Sequence, residues 1–412
     1  MVKELIILFI VAIFIRIAVG AINFLITNRK NKIEESKNIK TQTDSNSNQN
    51  TNIENNQIKI TLPLINDDEE FSSKDAYNEY VNKIGDNFVA KNQLKLTDEE
   101  LQQMSITDAV EMIRLECWAM EKLFTTSSEL KNLITERIKK IQNAIKQKLF
   151  NLDEIFVVFS KTTGCPYFFS KTFQQKDQYV CTPPQIRIYT KPILKIVEES
   201  LENDGDFEIR KIENGADKTG IHDFLGQSFY MDGACGIEIS IEECSFTNEE
   251  LVAPPDFSNV PEVSIPVMNP DVMRWSLLIS QLGYQETEEG QLIFKLYYGH
   301  LMNSLQNAKF LMPLKPGENF PKPTDKAETL TLKKEATFAI ATMPGKNEKN
   351  AVMLYTDWKR LYEHFGKDEG WNANITTIDG IISIFDCAIN VDNKYRTRGF
   401  YITQEDFERF KK

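Results

Sequence analysis

The spacing of apolar and polar positions divides the chain into stretches of different period. It begins with an apolar run, Leu5 to Ile26 (LIILFIVAIFIRIAVGAINFLI), which as a helix spans about 33 Å, the depth of a bilayer core. Arg16 is the one charge in the run, and its cost of about 2.5–3.5 kcal/mol on insertion scales is offset by so many Ile, Leu and Phe residues. Lys3 is balanced by Glu4, whereas Arg29, Lys30 and Lys32 follow the run, so the positive-inside rule places the downstream chain in the cytoplasm. Residues 1–30 therefore read as a single-pass transmembrane anchor. The competing reading is a secretory signal ending in Ala18-Val19-Gly20, cleavage of which would release an exported envelope protein. Residues 31–70 read as a linker, since Asn, Gln, Ser, Thr and charge dominate from Asn31 to Lys59 and leave too little apolar area to fold. Such a tether keeps the following domains close to membrane-associated partners.

Period 3.6 takes over in residues 71–150, a predicted helical domain. Thr97 and Glu100 have the spacing of a capping box, and Ile134, Ile138, Ile141, Ile145 and Leu149 form one apolar stripe. Between them Arg137, Lys139, Lys140, Lys146 and Lys148 make a basic face that suits solvent, anionic lipid or an acidic protein surface. Strand patterns follow at Ile155 to Ser160, Ile186 to Thr190 and Ala234 to Ser240. A short helix after Thr190 is marked by Pro192 in its first turn and by Leu194, Val197 and Leu201 at helical spacing. These elements make a first unit at 151–250. A Pro-rich connector at 251–270 leads to two helices, Asp271 to Leu282 and Leu292 to Leu305, which open the last module at 271–412.

The last module repeats the syntax of the first. Ala336 to Thr342 parallels Ile155 to Ser160, Ala351 to Thr356 parallels Gln185 to Thr190, and Gly399 to Ile402 parallels Gly236 to Ile239. Trp358, Leu361, Tyr362 and Phe365 supply the helical stripe in between. The expected fold is mixed α/β (α+β), with two related strand-strand-helix-strand units behind a helical region and an N-terminal transmembrane helix.

Composition narrows the function. A net charge of −12, from 48 basic and 60 acidic residues, opposes a broad nucleic-acid surface, which needs a cationic face. Three histidines, His222, His300 and His364, leave triad, zinc and imidazole acid–base chemistry short of their commonest residue. The six cysteines include no C-x-x-C pair and read as reduced thiols without a metal. G-x-G-x-x-G, G-x-S-x-G and H-E-x-x-H are absent, and with them the commonest nucleotide, hydrolase and metalloprotease signatures.

From about Leu292 to Phe410 the chain resembles the SseB family, the bacterial enhanced serine sensitivity proteins. The resemblance rests on IFKLYYGHLMNSLQNAKFLMPL (Ile293 to Leu314), AVMLYTDW (Ala351 to Trp358) and IFDCAINVDN (Ile384 to Asn393). Tyr355 stands where family members usually carry Phe, and the first unit would be a degenerate copy without the opening helix and the terminal Asn. The resemblance implies a compact α/β module, often joined to other domains, and supplies no catalytic residues. It also implies a bacterial source, which makes the membrane the inner, cytoplasmic one.

Two constellations invite chemistry. Tyr355-Thr356-Asp357-Trp358 could grip a ligand, although Thr356 or Asp357 as a helix cap with two packed rings accounts for it. Cys235 between Gly233 and Gly236, with His222 upstream, could be drawn as a thiol and its base, or as a turn entering a strand. His300 and His364 read as structural, Met343 to Asn350 as a hairpin loop and Lys161 to Pro166 as an ordinary turn. The expectation is a membrane-tethered, non-catalytic module that binds a protein or a ligand. No catalytic residue, metal or cofactor is assigned, and no binding residue is singled out. The alternative is a hydrolase or transferase whose thiol or carboxylate site assembles only in three dimensions.

Overall fold

The computed structural model describes residues 62–412 apart from 90–96, 124–127, 177, 202–204, 318–336, 346–349, 393, 396–397 and 412. The expected anchor and nearly all of the tether lie outside the described residues. Among those described, no helix is long and apolar enough to cross a membrane. The fold is α+β, with several sheets.

The helical region contains α1 (Lys74–Ile84), α2 (Asp98–Gln103), α3 (Ile106–Leu123) and α4 (Ser128–Leu149). The capping box forms as its spacing predicts. Glu100 N–H donates to Thr97 Oγ1 at 3.2 Å, and Thr97 N–H donates to Glu100 Oε2 at 2.9 Å. The Ile134 to Leu149 stripe of α4 is buried throughout. The basic face of α4 is smaller than its sequence suggests. Arg137 is buried, 3.2 Å from Glu116, and donates to the Phe88 carbonyl at 2.8 Å. Lys148 Nζ caps the end of α2 through the carbonyls of Leu101, Gln102 and Met104. Both side chains hold helices together, because a long cationic stem reaches carbonyls left open at a helix end.

The first sheet follows, with β1 (Glu154–Ser160), β2 (Phe168–Phe169), β5 (Gln185–Tyr189), α5 (Lys191–Leu201), β6 (Phe207–Glu213), α6 (Gly220–Tyr230), β7 (Gly236–Ile239), β8 (Ile241–Thr247) and α7 (Asn248–Leu251); β3 (Thr172–Gln175) and β4 (Gln178–Cys181) pair as a separate hairpin. The strand order is β6-β1-β5-β7-β8, with β2 on β5, and only β5 and β7 run parallel. β6 and α6 were not legible as elements in the sequence. β6 is an edge strand without a fully buried residue, so it lacks the alternation that marks a half-buried strand. The helices and this sheet share one apolar core, from Ile65 through Ile141 and Ile188 to Leu278.

Two helices, α8 (Pro270–Leu282) and α9 (Glu288–Leu305), lead into β9 (Phe310–Pro316), β10 (Phe338–Ile340), β11 (Thr342–Pro344), β12 (Asn350–Leu354), α10 (Trp358–Phe365), β13 (Asn372–Thr376), α11 (Ile378–Ile381), β14 (Asp386–Ile389), β15 (Phe400–Ile402) and α12 (Gln404–Lys411). The sheets are β10-β9-β13 and β11-β12-β14-β15, joined where Leu311 and Tyr355 exchange two backbone hydrogen bonds of 2.9 Å. Alternation along β12 sends Val352 and Leu354 into one core and Met353 and Tyr355 into another, as an inner strand covered on both faces requires. Two of the three expected repeat anchors join elements of different position. Phe338–Ile340 flanks β9 instead of taking the place of β1, and Phe400–Ile402 is an antiparallel edge strand whereas Gly236–Ile239 is an inner parallel one. Alternating apolar residues announce a strand but not its neighbours, so the pairing was not legible.

α8 bridges the two halves, with Met273, Leu277 and Leu278 in the first core and Val272 in the second. Its start rests on the turn at Gly233. There φ is +90°, and a Cβ would lie 2.0 Å from the Pro270 carbonyl oxygen, so both the conformation and the close approach require glycine.

Candidate functional site

The Tyr355-Thr356-Asp357 segment is buried, and the capping explanation holds. Asp357 stands before α10 and accepts from Arg360 N–H at 3.0 Å, while the Thr356 hydroxyl donates to its other oxygen at 2.8 Å. Trp358 stacks on Tyr362 with ring centroids 5.3 Å apart. The cap also has a wider use. Arg360, 2% exposed, pairs through Nη1 with Asp357 and through Nη2 with Asp232 at the end of α6. One guanidinium thus locks the last module to the first across 128 residues of sequence. Burial opposes the charge on Asp357, but the Arg360 guanidinium and the hydrogen bonds it receives outweigh that and hold its carboxyl below the usual carboxylate range.

Above this ion cluster lies a cleft of about 590 Å³, with one wall from each half of the fold. The first half contributes Phe159 and Cys165 from β1 and its loop, Arg210 from β6 and Phe224 from α6. The second contributes Lys359, Glu363 and His364 from α10, and Asp392, Lys394, Tyr395 and Arg398 from the β14–β15 loop. Asp392 shapes this loop by accepting from the N–H groups of Lys394 and Tyr395 at 2.7 and 2.8 Å. Burial works against its charge too, yet these two donors together with Arg398 and His364 keep its carboxyl below the usual range. Arg398 Nη2 divides between Asp392 at 2.8 Å and Glu363 at 2.7 Å. The walls meet where the Tyr395 ring sits on Gly164, since a Cβ there would fall 2.4 Å from the ring. Gly164 has φ +67°, so the Lys161 to Pro166 loop is the turn that was expected, with an inter-unit contact in addition.

No family model matches the chain, and no curated protein or solved structure does. The SseB resemblance of the C-terminal third accordingly stands on the residues quoted for it.

The other sequence candidates are scattered. His222 is in the first turn of α6, beside Phe150 and 3.7 Å from Asp223, whereas Cys235 lies beyond the far end of that helix, and its nearest charges are Arg274 and Asp271. Burial pushes the Cys235 thiol up, the opposite of what a nucleophile requires. At neutral pH its alkylation by iodoacetamide in the native chain is expected to be at least about tenfold slower than that of free cysteine. A mass-spectrometric time course showing free-cysteine rates would reinstate it as a nucleophile. Cys165, which lines the cleft, is likewise held protonated by burial. His300 stacks on Trp275 at 4.2 Å, and burial lowers its pKa. His364, in the last turn of α10, lines the cleft, and its buried Nδ1 has no hydrogen-bond partner among the described residues. The segment 343–350 joins antiparallel strands, as a hairpin does. Among the described residues, no three His, Cys, Asp or Glu side chains gather as a metal site.

Arg360, Asp232, Arg398 and Tyr395 were missed at the sequence level. Each carries its role through a partner far away in the chain, and no local spacing signals such a pairing.

Proposed function

We propose that this protein is a non-catalytic recognition module, tethered to the membrane through Leu5 to Ile26, whose inter-unit cleft receives a protein partner or its ligand on the cytoplasmic side. The observation that carries the reading is the state of the cleft's reactive groups. Asp232 is engaged by Arg360, Asp392 and Glu363 are engaged by Arg398, and burial pushes the Cys165 thiol up. Carboxylates held by guanidinium groups shape a site, whereas general acid–base work needs one free to exchange a proton near neutral pH.

The two halves are read here as related SseB-like units, and strand pairing supports that reading once the anchors are shifted. β1 and β9 each carry an antiparallel outer strand, β6 and β13. Tyr189 lies opposite Phe156 as Tyr355 lies opposite Leu311. β5 and β12 each take a parallel neighbour, β7 and β14, followed by an antiparallel edge strand, β8 and β15. Both parallel strands end in a left-handed residue, Ser240 at φ 63° and Asn390 at φ 51°, whose N–H donates to the carbonyl of Ile188 or Leu354. Ser240 therefore takes the place of the terminal Asn. A cleft between two such units would serve as a recognition surface, and the tether would raise its effective concentration at the bilayer.

The test places a photo-crosslinking residue at Lys394 in the cleft, or at exposed Lys139 on α4 as a control, in the full-length chain in its own membranes. A discrete adduct from position 394 and none from 139, with the chain retained after carbonate washing, is the expected result. Equal labelling from both positions, or a mature N-terminus beginning after Gly20, would overturn the reading.

A further inference from the structure

We infer that the cleft is an anion site, built for a small organic molecule that presents a phosphate or carboxylate group to Arg398 and Lys394. The inference rests on the recognition reading and names the ligand chemistry. Five cations line the cleft, Arg210, Lys211, Lys359, Lys394 and Arg398. Three carboxylates stand against them, and one of these, Asp232, is neutralised from beneath by Arg360.

The cations differ in what they have left to offer. Arg210 is held by Glu208, with its guanidinium 4.2 Å over the Phe159 ring, and Lys211 by Glu213 and Glu154. These two shape the outer wall. Among the described residues Lys359 has only a 3.8 Å contact with Glu363, on its own helix. Lys394 is exposed, has no carboxylate partner among the described residues and rests 4.8 Å from the Tyr395 ring centroid. Arg398 is the most buried of the five cations. Its side chain is 6% exposed, Nη2 makes both of its ion pairs, and its buried Nε has no hydrogen-bond partner among the described residues. Its two ion pairs leave part of a guanidinium uncommitted in the lining of a cation-rich cleft, and an oxyanion is the kind of acceptor such a group takes. Among the described residues His364 Nδ1, in the same wall, is also buried without a hydrogen-bond partner. A volume of about 590 Å³ suits a small molecule, while the aromatic rings of Tyr395, Phe159 and Phe224 offer apolar contact to its remainder.

Isothermal titration of the full-length chain in detergent tests this with three probes: inorganic phosphate, adenosine monophosphate and citrate. Lys394→Glu and Lys359→Glu change exposed side chains, and unfolding of each variant without probe checks that the fold persists. The expected result is saturable binding of at least one probe, weakened about tenfold or more in Lys394→Glu. Binding of either phosphate probe assigns phosphate recognition, and binding of citrate alone assigns carboxylate recognition. Absence of binding by all three, or binding unchanged in both variants, overturns the inference. If position 394 still crosslinks a partner in membranes under that outcome, the anion site falls while the recognition reading stands.

Discussion

Arg360→Met lowers the unfolding free energy by about 3–5 kcal/mol, the largest effect expected of any single substitution in the ion cluster beneath the cleft. The guanidinium neutralises Asp232 and Asp357, both about as buried as itself, and methionine fills much of its volume while leaving two carboxylates without a counter-charge. Asp232→Asn is milder, because Arg360 keeps Asp357 and a neutral amide remains opposite its other arm. The order of the two effects is the test, read from urea unfolding of the full-length chain. An Asp232→Asn loss equal to or larger than that of Arg360→Met would mean that the inter-unit bond, and not the paired charge, carries the stability.

Acid distinguishes the variants further. In the native protein the Asp357 carboxyl is depressed in the folded state, so its contribution is complete at neutral pH and lost as pH falls through that lowered value. Without Arg360 the same carboxyl, with Asp232, is buried and unpaired, which raises its folded-state pKa. A raised carboxyl favours the fold at low pH and loses that advantage as pH rises. The deficit of Arg360→Met should therefore shrink as pH is lowered from 7 to about 5. A deficit constant over that range would show that the stranded acids are solvated.

Much of the fold was legible in the sequence where the cause is local. The capping box at Thr97 and the stripe of α4 need only residues three and four apart, and both are observed. The Tyr-Thr turn into a helix at Thr190 and again at Thr356 is local as well: α5 begins directly after it, and α10 one residue later, after the cap Asp357. What escaped depends on partners distant in sequence. Arg137 and Lys148 belong to a basic face only until Glu116 and the end of α2 are known. β6 hides because an edge strand need not alternate, and the place of β9 emerges only when Tyr355 is seen to pair with Leu311. The cleft is the extreme case, since the ion pairs that tie its two walls and its loop together, Arg360 with Asp232 and Arg398 with Glu363, join separate elements. Individually its residues look like ordinary surface charge.

Asn390→Ala is expected to cost about 2–4 kcal/mol, combining lost buried hydrogen bonds with strain that the amide had offset. Asn390 is 1% exposed, and its backbone is left-handed, at φ 51°. Asn tolerates that region better than other residues with a Cβ. Its Oδ1 accepts from Thr356 N–H at 3.0 Å, and its Nδ2 donates to Thr356 Oγ1 at 3.0 Å and meets Met273 Sδ at the same distance. The Thr356 hydroxyl, accepting from this amide, can direct its own proton to Asp357, so Asn390 lies behind the cap that aims Arg360 across the cleft. Alanine leaves the Thr356 N–H buried without an acceptor and retains a Cβ at positive φ. Asn390→Gly removes the strain but not the orphaned donor, so it falls between alanine and the native protein. Ser240 has the same backbone conformation in the first unit without comparable burial, and Ser240→Ala is expected to change stability by less than about 1 kcal/mol. Urea denaturation of the four chains gives the comparison. Glycine matching the native protein at 390 would locate the whole effect in the backbone, and equal losses for Ser240→Ala and Asn390→Ala would remove the special role of the amide.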